Sequence, residues 1–453
     1  MEYVAAASIA IFLVTFFLIV KRPRGIGLGV SAGIGAAASL LLGTVTLSDA
    51  GQALLDIWDA ALAFVGIVSL SITLDAMGFF RWAAFKVVKL ARGSGLKLYF
   101  YVSLLTASVS ILFANDSAVL ILTPIVLEIV MQLKMEKQSM YAYLFSAGLI
   151  ADTAAMPLIT SNPINIVSAD FFKYSFIEHL VFMGPVAVVT IVTSMLVVYL
   201  FFRKNIPKSY STKLADSLNT SDEVITPIQL KTSIITLVTI DIGYVLASLF
   251  RIPVSLIICS GSIFLLTFYA SPFQNTAVKN QGKPVKSILK QINWDILLFM
   301  ISIFLVVQGL RHSGAIDFFA SVFTWGSTLP SFLSILVPSL TVTFSASAMN
   351  NWPMTMLGLL SIKQAITVNN LSLHSSTALI FSNIIGNNLG PHFFPLGSLA
   401  ILMWLGTMKR KGLTIKLVDY LKVGSILSIL EVTAASLVLW AELTFLPALH
   451  IIT

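Results

Sequence analysis

The chain has 453 residues, 57% of them hydrophobic and 11% charged, with 28 Lys and Arg against 20 Asp and Glu and a formal net charge of +8. A water-soluble domain carries about 25% charged residues, so the composition excludes an ordinary soluble enzyme. The basic residues sit in short loops between apolar runs, as the positive-inside rule requires of a membrane protein, and no nucleic-acid partner is expected.

In chain order, runs long enough to cross a bilayer, about 20 residues, fall at 3–20, 25–47, 53–74, 141–169, 177–202, 232–250, 253–270, 293–310, 376–408 and 417–446. The first ends in Lys21-Arg22-Pro23-Arg24, with its charge after the apolar run, which reads as a retained helix and not as a signal peptide. The stretch 25–43 carries six glycines among small residues, a pattern for close helix packing. Residues 79–90, with Arg81, Lys86 and Lys89 among aromatics, read as an interfacial amphipathic helix. Cys259 lies in an apolar run and reads as a small core residue. As the sole cysteine, it allows no disulfide or Cys-based zinc site within the chain.

Two further apolar stretches, 98–133 and 331–362, are broken in the middle by Ala114-Asn115-Asp116-Ser117 and Met349-Asn350-Asn351-Trp352. Each is followed by a second break, at 152–165 and 387–398. The spacing repeats: Asn115 to Asp152 and Asn351 to Asn388 are both 37 positions. Lipid tolerates interrupted helices only where freed backbone is buried in protein or lines a cavity. Paired interruptions in two halves point to a transporter binding site.

Because each arm of the broken stretches is short for a full span, both read as re-entrant hairpins, with full double crossings as the alternative. Either way 23 of the 28 Lys and Arg fall in cytoplasmic loops, and both termini are extracytoplasmic. The expected fold is an all-α polytopic membrane protein. It has about 10 transmembrane helices plus two re-entrant hairpins in an inverted-topology repeat, in a multi-pass plasma-membrane setting. Residues 1–202 and 232–453 are the two repeats, offset by 236 at the motifs (351 − 115). Residues 203–231, with Pro207, Ser209, Ser211, Ser217 and Ser221, are the cytoplasmic linker.

An ionisable residue inside a membrane segment is a functional candidate by default. Asp75, Asp116, Glu128, Asp152, Asp241 and Glu431 qualify, whereas Asp56, Asp59, Asp295, Asp419 and Glu442 lie nearer segment ends and read as interfacial. Asp116 in the first turn and Asp152 before Pro157 can hold a cation, accept a proton or bind hydroxyls, and Asp152 is the candidate for proton coupling. Asp75 reads as structural, Glu128 as reaching the interface, and Asp241 and Glu431 have no nearby motif. Around the carboxylates stand Ser161 and Asn115, Asn162, Asn165, Asn350, Asn351, Asn387 and Asn388, whose amides offer donors and acceptors without charge. That set suits a neutral polyhydroxylated solute or a cation held by carbonyl oxygens. His392 in the last break reads equally as a proton acceptor or as an interface residue. There is no phosphate-cradling Walker sequence, and no catalytic residue, metal site or cofactor is expected.

The sequences Phe113-Ala-Asn-Asp-Ser-Ala-Val-Leu-Ile-Leu-Thr-Pro-Ile-Val126, Ile150-Ala-Asp-Thr-Ala-Ala-Met-Pro157 and Ser161-Asn-Pro-Ile-Asn-Ile-Val-Ser-Ala-Asp-Phe-Phe172 closely resemble the ArsB-type arsenite/antimonite efflux permeases of the ion-transporter superfamily. So do Ala348-Met-Asn-Asn351 and Leu389-Gly-Pro-His-Phe-Phe-Pro-Leu-Gly-Ser-Leu-Ala400. The resemblance implies export of trivalent arsenic or antimony driven by the proton motive force, and some family members also pair with a soluble arsenite-stimulated ATPase. Alternatives of the same fold are a sodium/proton antiporter or an organic-anion carrier; a channel subunit of an ATPase-driven pump is a third. The chain departs from the family pattern at Asn388 and His392, where an acid and a lysine are usual. It departs again at Trp352 and Met354, and at Arg81, which closes Asp75-Ala-Met-Gly-Phe-Phe-Arg81. Arsenite near neutral pH is mostly an uncharged trihydroxide, and one cysteine cannot supply the three thiolates a soft metalloid favours, so oxygen and amide contacts are expected.

Overall fold

Long apolar stretches with no water to satisfy their backbone fold as helices, and the computed structural model, which describes residues 2–212, 225–271 and 284–446, is all-helical. Among the described residues the only β pairing is an isolated bridge between Ser94 and Ser209. Ser217 and Ser221 of the linker lie outside the described residues. The first half runs α1 (Glu2–Lys21), α2 (Leu28–Leu41), α3 (Leu47–Ala76), α4 (Phe79–Ala91), α5 (Gly95–Phe113), α6 (Asn115–Gln132), α7 (Lys137–Phe145), α8 (Ala151–Thr153), α9 (Pro163–Phe172) and α10 (Phe176–Phe202). The second runs α11 (Pro227–Leu249), α12 (Val254–Ala270), α13 (Val285–Gln291), α14 (Trp294–Gly309), α15 (Ala315–Ser327), α16 (Leu333–Met349), α17 (Asn351–Asn369), α18 (Leu373–Leu389), α19 (Leu399–Arg410) and α20 (Leu417–Phe445).

Eight described helical segments are long and apolar enough to cross a membrane, and α2, α12 and α16 are shorter apolar helices. Large apolar side chains such as Leu13 and Phe17 of α1 and Ile235, Val238 and Ile242 of α11 face outward. Such a surface suits lipid and not water. Local signals start the long helices: Thr46 and Asp49 close a capping box on α3, as do Ser175 and Glu178 on α10 and Thr226 and Gln229 on α11. The expected glycine packing has a specific form. Gly27 and Gly29 abut Asp295 of α14 and Gly35 abuts Thr15 of α1, each too closely for a Cβ.

The two hairpin turns are built alike. α5 and α6 are separated by Ala114 alone (φ 63°, ψ 152°), and α16 and α17 by Asn350 alone (φ 81°, ψ 149°). Both fall in a region of backbone space that is nearly glycine-only and costs roughly 1–3 kcal/mol, a cost met only where surrounding contacts enforce it. The later breaks also match. After α7, a π-helical turn (Ser146–Ile150) and α8, the chain extends at Leu158, makes a 3-10 turn (Ile159–Ser161), and restarts at α9 with Asn162 as N-cap. After α18, it extends at Phe394, makes a 3-10 turn (Pro395–Gly397), and restarts at α19 with Ser398 as N-cap. Ala114 and Asn350, Leu158 and Phe394, and Asn162 and Ser398 are each 236 positions apart, as are the left-handed Gly78 and Gly314 that open α4 and α15.

Three expectations need correction. The hairpin arms are 19, 18, 17 and 19 residues long, so length does not separate a hairpin from a double crossing. Asp59 and Glu442 are buried, not interfacial: Asp59 Oδ1 accepts the Ser255 backbone N–H at 3.0 Å and so caps α12 from α3. Cys259 is half-buried against Leu62 and Gly66 of α3, and is not a core residue.

Candidate functional site

Asp152, in α8, is 2% exposed and meets three residues from other elements. Its Oδ1 accepts the Asn115 amide at 2.6 Å from the first turn and the Ser398 hydroxyl at 3.2 Å from the N-cap of α19. Its Oδ2 faces Nε2 of His392 at 3.7 Å, and neither atom has a hydrogen-bond partner among the described residues. His392 is held from the other side, with Nδ1 2.7 Å from Oε2 of Glu431, midway along α20. The Thr153 hydroxyl lies 2.7 Å from Oε1 of the same carboxylate. His392 and Glu431 are both fully buried. A buried charge is tolerated only when paired and hydrogen-bonded, and each oxygen of Glu431 has a polar contact. With one oxygen doubly engaged and the other open toward an imidazole, Asp152 can gain or lose a proton without moving a helix.

Asn115 joins this centre to an open space. Its Oδ1 accepts the Asp116 backbone N–H at 2.9 Å, and the Asp116 side chain lines a cavity of about 720 Å³ with Ser71, Asp75, Ser117, Asn293 and Arg410. The same cavity is bordered by Arg81 and Glu128, a half-exposed ion pair at 3.3 Å.

The other asparagines form a neutral cluster. Asn162 Nδ2 donates to Asn388 Oδ1 at 2.9 Å, and Asn388 Nδ2 donates to Asn165 Oδ1 at 3.0 Å, which ties the two later breaks together. Asn165 Nδ2 donates to the carbonyls of Ala155 and Leu158, and the Ser161 hydroxyl to that of Ile111. These groups are largely consumed in holding the breaks. Asn350 likewise caps Trp352 N–H and donates to Leu396 O at 3.1 Å. Hydrogen-bonding capacity is left at Asn351 Oδ1, Thr355 Oγ1, Asn383 Nδ2 and Asn387 Oδ1, all buried and without a partner among the described residues. Thr355, Asn383 and Asn387 line one gap between α9, α17 and α18 that is too narrow for water. Gly358 lies so close to the Asn383 amide that a Cβ there would overlap it.

The first-turn and first-break candidates Asn115, Asp116 and Asp152 thus come together, as do Asn162, Asn165 and Asn388. Asn387 instead turns back on its own helix, its amide donating to Asn383 Oδ1 at 2.9 Å. The sequence alone leaves His392 between two roles and Glu431 without one, and Thr153, Thr355 and Asn383 are not among its candidates. A charge in mid-span marked Glu431; Asn383, one helical turn before Asn387, shares its face. Among the described residues no group of three His, Cys, Asp or Glu side chains is arranged to hold a metal ion.

A family model described as "Arsenical pump membrane protein" matches residues 7–441. An Escherichia coli protein of that description is 36% identical over 445 residues, covering 96% of this chain and 99% of its own. A Bacillus subtilis protein, "Putative arsenical pump membrane protein", is 27% identical over 454 residues, covering 96% and 99%. Among solved structures, the YdaH transporter of Alcanivorax borkumensis, described as having an unusual topology, is similar with a TM-score of 0.54 and 15% identity over 88% of each chain. That likeness concerns the fold alone.

Proposed function

The chain belongs to the ArsB family of arsenical pump membrane proteins, and we propose that it exchanges arsenite or antimonite for protons with Asp152 as the proton-coupled carboxylate. It is a multi-pass plasma-membrane transporter and not an enzyme, and its export of trivalent arsenic and antimony confers arsenical resistance.

The observation that carries the proton assignment is the surroundings of Asp152. The carboxylate is buried where the first turn, through Asn115, meets the second half, through Ser398 and His392. A proton bound there feels both halves, which is what coupling to a conformational change requires. The neutral solute belongs to the amide side. Asn351 and Asn387, with Thr355 and Asn383, keep donors and acceptors without a partner among the described residues; these complement an uncharged trihydroxide once α9, α17 and α18 part, since the gap that Thr355, Asn383 and Asn387 line is closed to water here. Asn115, Asn162, Asn165, Asn350, Asn388 and Ser161 position that surface by fixing the turns and breaks, and Asp116 lines the large cavity beside Asn115.

We read α5 with α6, and α16 with α17, as re-entrant hairpins from opposite faces, within inverted repeats 1–202 and 232–453 joined by the linker 203–231. The 236-residue recurrence supports this reading, as does the burial of both turns against the later breaks of their own halves. The bias of Lys and Arg assigns the 720 Å³ cavity, bordered by Arg81 and Arg410, to the cytoplasmic side, open to a solute about to leave the cell.

Inverted membrane vesicles holding this protein alone test the function. Under an inward-acid gradient they accumulate arsenite, and a protonophore abolishes the uptake. Uptake that needs an added soluble ATPase and ignores the protonophore, or sodium-driven proton movement without arsenite, contradicts the exchange.

A further inference from the structure

We propose that Glu431 and His392 form a fixed ion pair whose work is to hold a cation beside Asp152, with Glu431 as a positioning residue acting through the imidazole. This rests on the reading of Asp152 as the coupled carboxylate.

Both oxygens of Glu431 have a contact: Oε1 lies 2.7 Å from the Thr153 hydroxyl, nearer to it than the Leu149 carbonyl at 3.0 Å or the Ser194 hydroxyl at 3.3 Å, and Oε2 lies 2.7 Å from Nδ1 of His392, which on this proposal is the donor. An ionised carboxylate only accepts, whereas a protonated one must also donate, so this arrangement suits the anion. With Glu431 ionised, Nδ1 carries the hydrogen that Oε2 accepts, and Nε2 faces Asp152 Oδ2 across 3.7 Å. Both ring nitrogens therefore face acceptors, the environment of an imidazolium. The same logic orients a histidine behind a buried acid in hydrolytic triads. The remaining titratable neighbours are Tyr420, whose hydroxyl is committed to the Pro391 carbonyl at 3.2 Å, and Asp116, beyond Asn115.

With Glu431 and His392 charged, the three-residue centre is singly negative when Asp152 is ionised and neutral when it is protonated. A buried site alternating between those two states exchanges one proton. With the cation gone and Glu431 still ionised, it would alternate between singly and doubly negative, with no cation to balance an ionised Asp152, so Asp152 keeps its proton. An opposite charge within about 4–6 Å changes a carboxylate's proton affinity by roughly 1–3 units, so the pair sets the pH range in which coupling operates.

The experiment is the pH profile of gradient-driven arsenite accumulation in liposomes holding the full chain. Glu431→Gln and His392→Gln move the half-maximal point to higher pH by about one unit or more, and His392→Lys, which restores a cation, moves it back toward wild type. A profile for either glutamine variant superimposed on wild type, or a lysine variant displaced as far as the glutamine one, overturns the proposal. Should a single variant fail to fold, the double variant Glu431→Gln/His392→Gln, which removes both members of the pair together, must show the same displacement. Wild-type protein gives an independent reading by ¹⁵N magnetic resonance of its five histidines: one ring stays doubly protonated at pH 8, well above the usual value of about 6.5. No such ring at pH 8 overturns the proposal. If Asp152→Asn accumulates arsenite normally, the coupling role of Asp152 fails; if only the Glu431 and His392 variants behave as wild type, the present proposal fails alone.

Discussion

The two hairpin turns share a backbone and differ in chemistry. Ala114 and Asn350 adopt nearly the same strained dihedrals. In the first half of each hairpin a serine then reaches the later break of its own half: Ser110 donates to the Ala151 carbonyl, and Ser347 to that of Gly390 at 2.5 Å. Beyond that scaffold they diverge. The first turn leads to Asp152 and Asp116 and to a 720 Å³ cavity, whereas the second leads to amides and hydroxyls around a gap too narrow for water. A shared backbone device thus serves one charged half-site and one neutral half-site. The ionisable side chains stand at the first turn, while the second turn offers amides and hydroxyls; on the proposed function the first serves the proton and the second the uncharged solute.

That contrast can be broken from the neutral side first. Gly358→Ala drives a methyl group into the Asn383 amide, and overpacking of this kind costs roughly 1–3 kcal/mol. The expected result is at least a tenfold loss of arsenite transport, about 1.4 kcal/mol, with the pH profile unmoved; a shifted profile would merge the two half-sites into one. Next, Ala114→Gly removes strain at the first turn and raises stability by about 1 kcal/mol after the entropy cost of glycine, read as a higher Tm in detergent. Asn350→Gly gains no such increase, because it loses the bonds to Trp352 N–H and the Leu396 carbonyl. Equal gains at both turns would deny the second turn its capping role. The smallest effect belongs to the cavity edge. Arg81→Ala breaks an ion pair whose partners are 50% and 40% exposed, and such pairs contribute at most about 1 kcal/mol. Stability then changes little, and transport loses at most about fivefold.

Much of this contrast is readable along the chain because its signals are local. The paired breaks, the 37-residue spacing and the 236-residue offset follow from short polar runs in an apolar sequence, and they coincide with the turns and N-caps of the structure. α4 is legible as an amphipathic helix for the same reason; its counterpart α15 is not, because its polar face carries one charged residue, Asp317. Residues whose partners lie far away in sequence were harder. Asp59 looked interfacial until its bond to Ser255, 196 positions on, showed it capping α12. Glu431 stands among small and apolar residues of α20, and only the fold brings it to Thr153, 278 positions earlier. Asn383 looked like a helix residue because its unused amide hydrogens acquire meaning only against α17.

The most direct test of the account is Asp152→Asn, in liposomes, comparing gradient-driven arsenite accumulation with arsenite/arsenite exchange. The substitution keeps the size of the side chain and can still accept the Asn115 and Ser398 hydrogen bonds on its amide oxygen, but it cannot bind and release a proton. The account predicts that accumulation is abolished while the protein inserts and folds as wild type and exchange persists. Accumulation at the wild-type rate, with the wild-type dependence on the proton gradient, would contradict it.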